Sequence, residues 1–265
     1  MTDTPLVWHY GLMAERWAEF IHDAPELPFF RQAITRFGQP ALDLACGAGR
    51  LLLPLLRAGI EIDGCDISGD MLRQCQKKTA SEGFNPRLYE QPMHALNLHR
   101  TYKTIYICGS FGLAGSREND LESLRRCYRH LDDGGALLLN IQAEYTSPEA
   151  WSLWLRENRL ALPQPWPEKS GGRIAADGSE HFGQFRIVNV DPLEQTVTRQ
   201  VRLEKWANGQ LVASEDYLLR DNIYFKNELL LMLKVAGFRH ITVQGDYRDE
   251  PATADHEELV FTAIR

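Results

Sequence analysis

Between residues 41 and 142, short apolar runs alternate with longer stretches of helical periodicity. The pattern predicts strands over 41–45, 60–66, 86–90, 103–108 and 136–142, with helices over 49–58, 69–82 and 119–131 between them. Ser68 stands where an N-cap of the second of these helices belongs. Strands alternating with helices imply a parallel sheet covered on both faces. Ligands of such sheets lie at the carboxyl ends of the strands, where the strand order reverses. Ahead of this block, residues 6–37 read as helical and aromatic, with Trp8, Tyr10, Trp17, Phe20, Phe29 and Phe30. Tyr10, Met13/Ala14 and Trp17 share one helix face. Either a packed cap or an aromatic lid over a ligand suits that stripe.

The pattern changes after residue 142. Pro163, Pro165 and Pro167 interrupt the run 146–182, which also holds Trp151, Trp154 and Trp166. Residues 183–190, 195–206 and 210–221 then read as an antiparallel meander, with Asp191-Pro192 and Asn208-Gly209 at its turns. A helix over 226–236 ends at Gly237, and strands over 238–245 and 258–264 follow. The expected organisation is a helical cap over 1–40, a main α/β domain made of 41–142 and 218–265, and an antiparallel β insertion over 143–217. The fold class is α/β, a doubly wound, mostly parallel seven-stranded sheet of Rossmann-like type with the insertion after strand five. The insertion is expected to wall a substrate pocket, and its strand edges suit pairing with a second copy of the chain.

Composition narrows the partners. The net charge of −7 argues against a broad nucleic-acid surface, which is normally basic. No apolar run approaches the roughly 20 residues of a membrane span, and Met1-Thr2-Asp3-Thr4-Pro5 lacks the basic and apolar regions of a secretory signal. A cytoplasmic protein without a membrane partner is expected. Cys46, Cys65, Cys75, Cys108 and Cys127 show no C-x-x-C spacing, so buried free thiols are expected and no metal site is.

The candidate chemistry centres on Ala41-Leu42-Asp43-Leu44-Ala45-Cys46-Gly47-Ala48-Gly49-Arg50. An apolar strand runs into a small-residue turn, and a helix opens after it. Such a turn lets backbone N–H groups approach a ligand, and the helix adds the positive end of its dipole. Asp66 ends the second strand, where a carboxylate accepts hydrogen bonds from both hydroxyls of a ribose. Together these features point to an adenosine-type ligand, and they leave nicotinamide dinucleotides and S-adenosylmethionine both open.

Asp43–Gly49 resembles the first motif of class I S-adenosylmethionine-dependent methyltransferases. Gly64-Cys65-Asp66-Ile67-Ser68 with Met71 resembles their second-strand segment, and Leu131-Asp132-Asp133-Gly134-Gly135-Ala136-Leu137 their turn into strand five. The likeness spans about residues 8–142, and 226–265 is similar to their last helix and strand pair. Among them, small-molecule N-methyltransferases of the glycine or sugar-amine type are the most similar. The nicotinamide reading fits less well, because Leu52 occupies the place of the third glycine of G-x-G-x-x-G. The resemblance implies S-adenosylmethionine as methyl donor, with S-adenosylhomocysteine as product, and no metal. It places Asp43 near the methionine amino group, backbone at Ala45 and Gly47 along the methionine part, and Gly49 in close helix packing. Asp66 would hold the ribose and Ile67 the adenine face. Gln91-Pro92-Met93 stands where an acid often meets the adenine amino group. Met93 would offer its backbone N–H there, and Gln91 a substitute side chain. Tyr10 and Trp17 resemble aromatics that close over the donor, and Cys108 ends strand four at the sulfonium edge.

On the acceptor side the resemblance points to Ser110 and Phe111 after strand four. Tyr145 just past strand five and Arg220 before the last helix are further candidates, with Glu144, Asp221 and Tyr224 beside them. Arg220 suits a carboxylate or phosphate. His9, His94 and His181 are the histidines to consider as a base, and no catalytic residue is assigned. The expected activity is methyl transfer to N or O of a small molecule by in-line displacement. The alternatives are a donor-binding protein without turnover, and an RNA or protein methyltransferase, which the acidic charge disfavours.

Overall fold

The computed structural model describes residues 9–113 and 115–265, so Trp8 and the start of the aromatic stretch lie outside the described residues. Helices α1 (Gly11–Phe20) and α2 (Leu27–Phe37) precede the sheet. The main domain then follows as β1 (Ala41–Leu44), α3 (Leu52–Arg57), β2 (Ile62–Asp66), α4 (Gly69–Ser81), β3 (Leu88–Glu90), β4 (Tyr102–Ile107), α5 (Arg117–His130) and β5 (Leu131–Gln142). Ser68 caps α4 as its position promised, accepting a hydrogen bond from the Met71 N–H at 3.1 Å.

Seven strands form one sheet in the order β10-β11-β5-β4-β1-β2-β3, where β10 (His240–Gly245) and β11 (Glu258–Ile264) end the chain. All neighbours pair in parallel except β11, which is antiparallel to both β5 and β10. Successive residues of each strand face opposite sides. Leu42 and Leu44, Ile105 and Ile107, and Leu137 and Leu139 pack toward α5 and α8 (Lys226–Ala236). Ala41, Tyr106, Ala136 and Leu138 pack toward α2, α3 and α4. Two buried layers on one sheet are what doubly wound means physically. β1 connects to β2 on one side and lies against β4 on the other. The crevice above β1 and β4 is therefore the switch point.

β5 begins earlier than its apolar run suggests. Leu131 already pairs with Tyr102, and pairing resumes at Ala136 with Thr104. The expected turn Asp132-Asp133-Gly134-Gly135 is thus a bulge extruded within the strand rather than a connection ahead of it.

After β5 come two short helices, α6 (Pro148–Ser152) and α7 (Arg156–Arg159). A second, four-stranded antiparallel sheet follows, ordered β6-β7-β8-β9: β6 (Arg173–Ile174), β7 (Glu180–Asp191), β8 (Thr196–Ala207) and β9 (Gln210–Asn222). β9 runs across the expected boundary at 217/218. The proline-rich segment lies on this wing, with Trp166 between the guanidiniums of Arg186 and Arg202 at 4.3 and 4.6 Å. Helix α1 is held between wing and main domain. Leu12 and Met13 pack on Val201 and Leu203, while Ala14 and Ala18 pack on Ala48 and Met71. Cys46, Cys65, Cys75 and Cys127 are buried free thiols, and Cys108 is a half-buried one. Among the described residues, no helix is long and apolar enough to cross a membrane.

Candidate active site

A cavity opens at the carboxyl ends of β1, β2 and β4, and the turn residues Ala45, Cys46 and Gly47 line it. Of the residues proposed for the donor, it is lined by Trp17, Asp43, Ala45, Gly47, Asp66, Ile67, Met93 and Cys108; of those proposed for the acceptor, by Ser110. His9 also lines it. Neither His94 nor His181 lines this cavity; the latter is buried in the wing against Ser179 and Phe20.

Asp66 is the hinge between strand and turn. One carboxylate oxygen accepts the Gly47 N–H at 2.8 Å and the other accepts the Ser68 N–H at 2.8 Å. An ionised carboxylate offers about four lone-pair positions, so these contacts do not exhaust it and it can still accept from a ribose hydroxyl. Burial pushes the Asp66 carboxyl up, while the Ser68, Gly47 and Ile67 N–H groups pull it down. Ile67, beside it, is 45% exposed yet lines the cavity. An apolar side chain left open there offers a flat ring something to cover.

Asp43 lies deeper and is fully enclosed. Burial lifts its carboxyl to about 7; Tyr106 and Arg50 work against that, and the charge of Asp66 adds to it. A cationic group in the cavity would stabilise the charged form. Opposite, Arg50 forms an ion pair with the buried Glu26, and both meet the Cys108 thiol: Arg50 Nη2 lies 3.7 Å from the sulfur, which donates to Glu26 at 3.3 Å. Burial pushes the Glu26 carboxyl up, but the hydrogen bond and charge of Arg50 outweigh it and the net shift is downward. Arg50 closes the motif stretch, yet nothing in the sequence pairs it with Glu26, which arrives from the start of α2.

His9 is half-buried, and loss of solvent around its ring lowers the imidazole to about 4, so it is neutral at physiological pH. Its ring meets Trp17 edge-on at 5.6 Å, and its carbonyl accepts from the Ser68 hydroxyl.

Other expected residues lie elsewhere. Tyr10 is at the rim, its hydroxyl 3.4 Å from the Ile67 carbonyl. Gly49 faces α4 rather than the cavity. The Gln91 side chain is spent on its own loop, accepting the Asn97 N–H at 2.8 Å, and is not brought to the cavity. Tyr145 stacks on Phe225 at 6.5 Å, outside both cavities. Arg220 donates to the Gly115 carbonyl at 3.2 Å, and it is the following residues, Asp221 and Asn222, that line the second cavity.

A second cavity of about 220 Å³ adjoins the first through Leu113, which lines both. Phe111 and Tyr224 wall it, with ring centroids 5.4 Å apart, alongside Glu144, Asp221, Glu258, Arg199 and Asn140. Asp221 is paired with Arg199. Asn140 accepts the Gly109 N–H at 2.7 Å and donates to Glu258 at 2.7 Å, which links the strand-four loop to β11. Burial pushes both Glu144 and Glu258 up, with Arg199 opposing in the first case and Asn140 in the second. Arg199, Asn140 and Glu258 carry no motif signal; only the pairing of β8, β5 and β11 with their neighbours brings them here.

Residues 41–135 match the family profile of a methyltransferase domain. The cypemycin N-terminal methyltransferase of a Streptomyces species is 25% identical over 231 residues, 86% of this chain and 84% of that protein. Two solved structures share the fold across nearly their whole length. An S-adenosylmethionine-dependent methyltransferase from Clostridium acetobutylicum superposes with a TM-score of 0.72 at 18% identity, covering 95% of this chain and 96% of that one. The sugar N-methyltransferase KedS8 from Streptoalloteichus superposes with a TM-score of 0.69 at 16% identity, covering 100% and 98%. The strand order and the separate antiparallel sheet place the chain in the Rossmann-like α/β fold that these structures share. Residues 41–135 thus carry a methyltransferase domain, set in a chain that shares the fold of S-adenosylmethionine-dependent methyltransferases.

Proposed function

We propose that the enzyme methylates the nitrogen of a small-molecule amine. The observation that carries this reading is the second cavity. It is aromatic and acidic, with Glu144, Asp221 and Glu258 set against a single cation, Arg199, and it adjoins the donor cavity at Leu113. An amine arrives largely as an ammonium ion and must lose a proton before it can attack. A surplus of carboxylates attracts the cation, and carboxyls raised by burial are suited to accept its proton. Phe111 and Tyr224 add ring faces to a site for a cationic group. The relatives named as a sugar N-methyltransferase and an N-terminal methyltransferase support the same choice of atom.

In this reading Asp66 holds the donor ribose, Ile67 covers the adenine, and Asp43 with the Ala45–Gly47 backbone receives the methionine end. S-adenosylmethionine, when bound, supplies a methyl group already activated as a sulfonium. The chain then supplies position and dryness. Trp17 and His9 roof the donor cavity, and the neutral imidazole leaves no competing positive charge beside it.

The test is calorimetry with S-adenosylmethionine and S-adenosylhomocysteine, followed by mass spectrometry of a panel of amines, phenols and acids incubated with enzyme and donor. Donor binding with amine products is expected. Methylation confined to hydroxyls would sink the nitrogen reading and point to His9. Binding without transfer to any class would return the alternative of a non-catalytic donor-binding protein.

A further inference from the structure

The N-terminus of α1 has no cap of its own. Tyr10 occupies the N-cap position without a side-chain bond, and the first turn holds no acidic residue. Its free N–H groups are satisfied from two other parts of the chain. Gly11 N–H donates to Asp70 of α4 at 2.7 Å. Leu12 N–H donates to Glu215 of β9 at 2.9 Å, and Met13 N–H is shared between the Tyr10 carbonyl and the Tyr217 hydroxyl of β9, each at 3.1 Å. That hydroxyl also lies 2.9 Å from the Tyr10 carbonyl and against the Glu215 carboxylate. The fit is tight: a Cβ on Gly11 would stand 2.5 Å from a Glu215 oxygen. The next turns of α1 carry Trp17 into the donor cavity and pack Ala14 and Ala18 against Ala48 of the motif turn. β9 ends in Asp221 and Asn222, which line the second cavity.

We propose that Glu215 and Tyr217 are positioning residues for the methyl donor: by capping α1 from the wing, they set the helix so that Trp17 and His9 close the donor cavity. The physical reasons are direct. A carboxylate at a helix N-terminus satisfies N–H groups and opposes the positive end of the dipole. Here that bond also fixes where the helix lies, because the same α1 touches the motif turn on its other face. The wing is thereby part of the donor site as well as a wall of the acceptor site. The inference rests on the donor reading above, and its test separates the two.

S-adenosylhomocysteine affinity is measured by calorimetry for the wild type, Glu215→Ala, Glu215→Gln and Tyr217→Phe. Glu15→Ala serves as a control that breaks only the exposed contact of α1 with Lys205 of the wing. Glu215→Ala is expected to weaken binding about tenfold, the size of one lost cap. Glu215→Gln, which retains an acceptor oxygen, recovers most of the loss, and Glu15→Ala binds as wild type. In steady state the KM for the donor rises with Glu215→Ala while kcat stays within about twofold, as expected for lost uniform binding. Wild-type affinity in both Glu215→Ala and Tyr217→Phe would overturn the proposal. So would an equal loss in Glu15→Ala, which would mean that general loosening of the helix is responsible. If Glu215→Ala does not fold, Tyr217→Phe decides. If the wild type itself does not bind S-adenosylhomocysteine, it is the donor reading that fails.

Discussion

Gly49 and Cys75 meet so closely that a Cβ on the glycine would lie 2.9 Å from the cysteine sulfur. The second glycine of the motif turn therefore serves the packing of α4 beneath the turn, and its positive φ of 83° adds a backbone reason for the residue. Gly49→Ala is expected to cost about 2–4 kcal/mol, combining overpacking with a left-handed backbone. Urea denaturation measures it. In that background Cys75→Ala should recover the steric part and leave the backbone part. No recovery would show that the sulfur is not the obstacle.

Asp66 carries both the turn and the proposed ribose contact. Asp66→Asn keeps the shape but replaces one acceptor oxygen with an NH₂ group facing a backbone donor. Donor affinity should fall at least tenfold, in line with the ~1.5–3 kcal/mol of a charged hydrogen bond. Calorimetry with S-adenosylhomocysteine reads this, and an unchanged affinity would remove Asp66 from the site.

Asp43 makes the ligand-free protein pH-sensitive. Its carboxyl is raised to about 7 in the folded chain from an ordinary value of 3.8, so between those values the folded chain holds a proton that the unfolded chain has released. Stability from this group is present below the ordinary value and is lost as pH rises toward 7. Asp43→Asn should flatten that slope and make the folded chain relatively more stable at pH 8 than the wild type, as denaturation at pH 5 and pH 8 would show. If the donor ammonium docks here, binding near neutral pH releases a proton, and the calorimetric heat then varies with the ionisation enthalpy of the buffer.

The acidic cavity predicts a split in kinetic constants. Glu144→Gln should raise the KM for a cationic amine acceptor about tenfold and leave the donor KM within twofold, since Glu144 lines only the second cavity. An equal rise in both constants would argue that the substitution disturbs the fold between the cavities.

The donor half was readable because its chemistry is local. The strand, turn and acid occupy short consecutive stretches, so β1, the small-residue turn and Asp66 at the end of β2 follow from order, as does the helix 226–236, which the structure reproduces residue for residue. The acceptor half was not, because its residues meet by long-range pairing. Arg199 faces Asp221 only through the register of β8 with β9, and Asn140 reaches Glu258 through β5 and β11. Glu144, Asp221 and Tyr224 were named beside Tyr145 and Arg220, and it is these three that line the second cavity. Gln91 stands apart, because its loop turns the amide back on Asn97.

The place where the wing joins the main domain has a consequence for how such enzymes diversify. The chain leaves at the end of β5 and returns at the end of β9, and the β5–β11 pairing closes the main sheet without help from the excursion. A different wing can thus be spliced between those two points, retooling the acceptor while the nucleotide half is inherited intact. The N–H groups of Leu12 and Met13 set the condition on that exchange. A grafted wing must bring its own partners for them, and a chimera that lacks these would fold, keep its motif, and still hold its cosubstrate poorly.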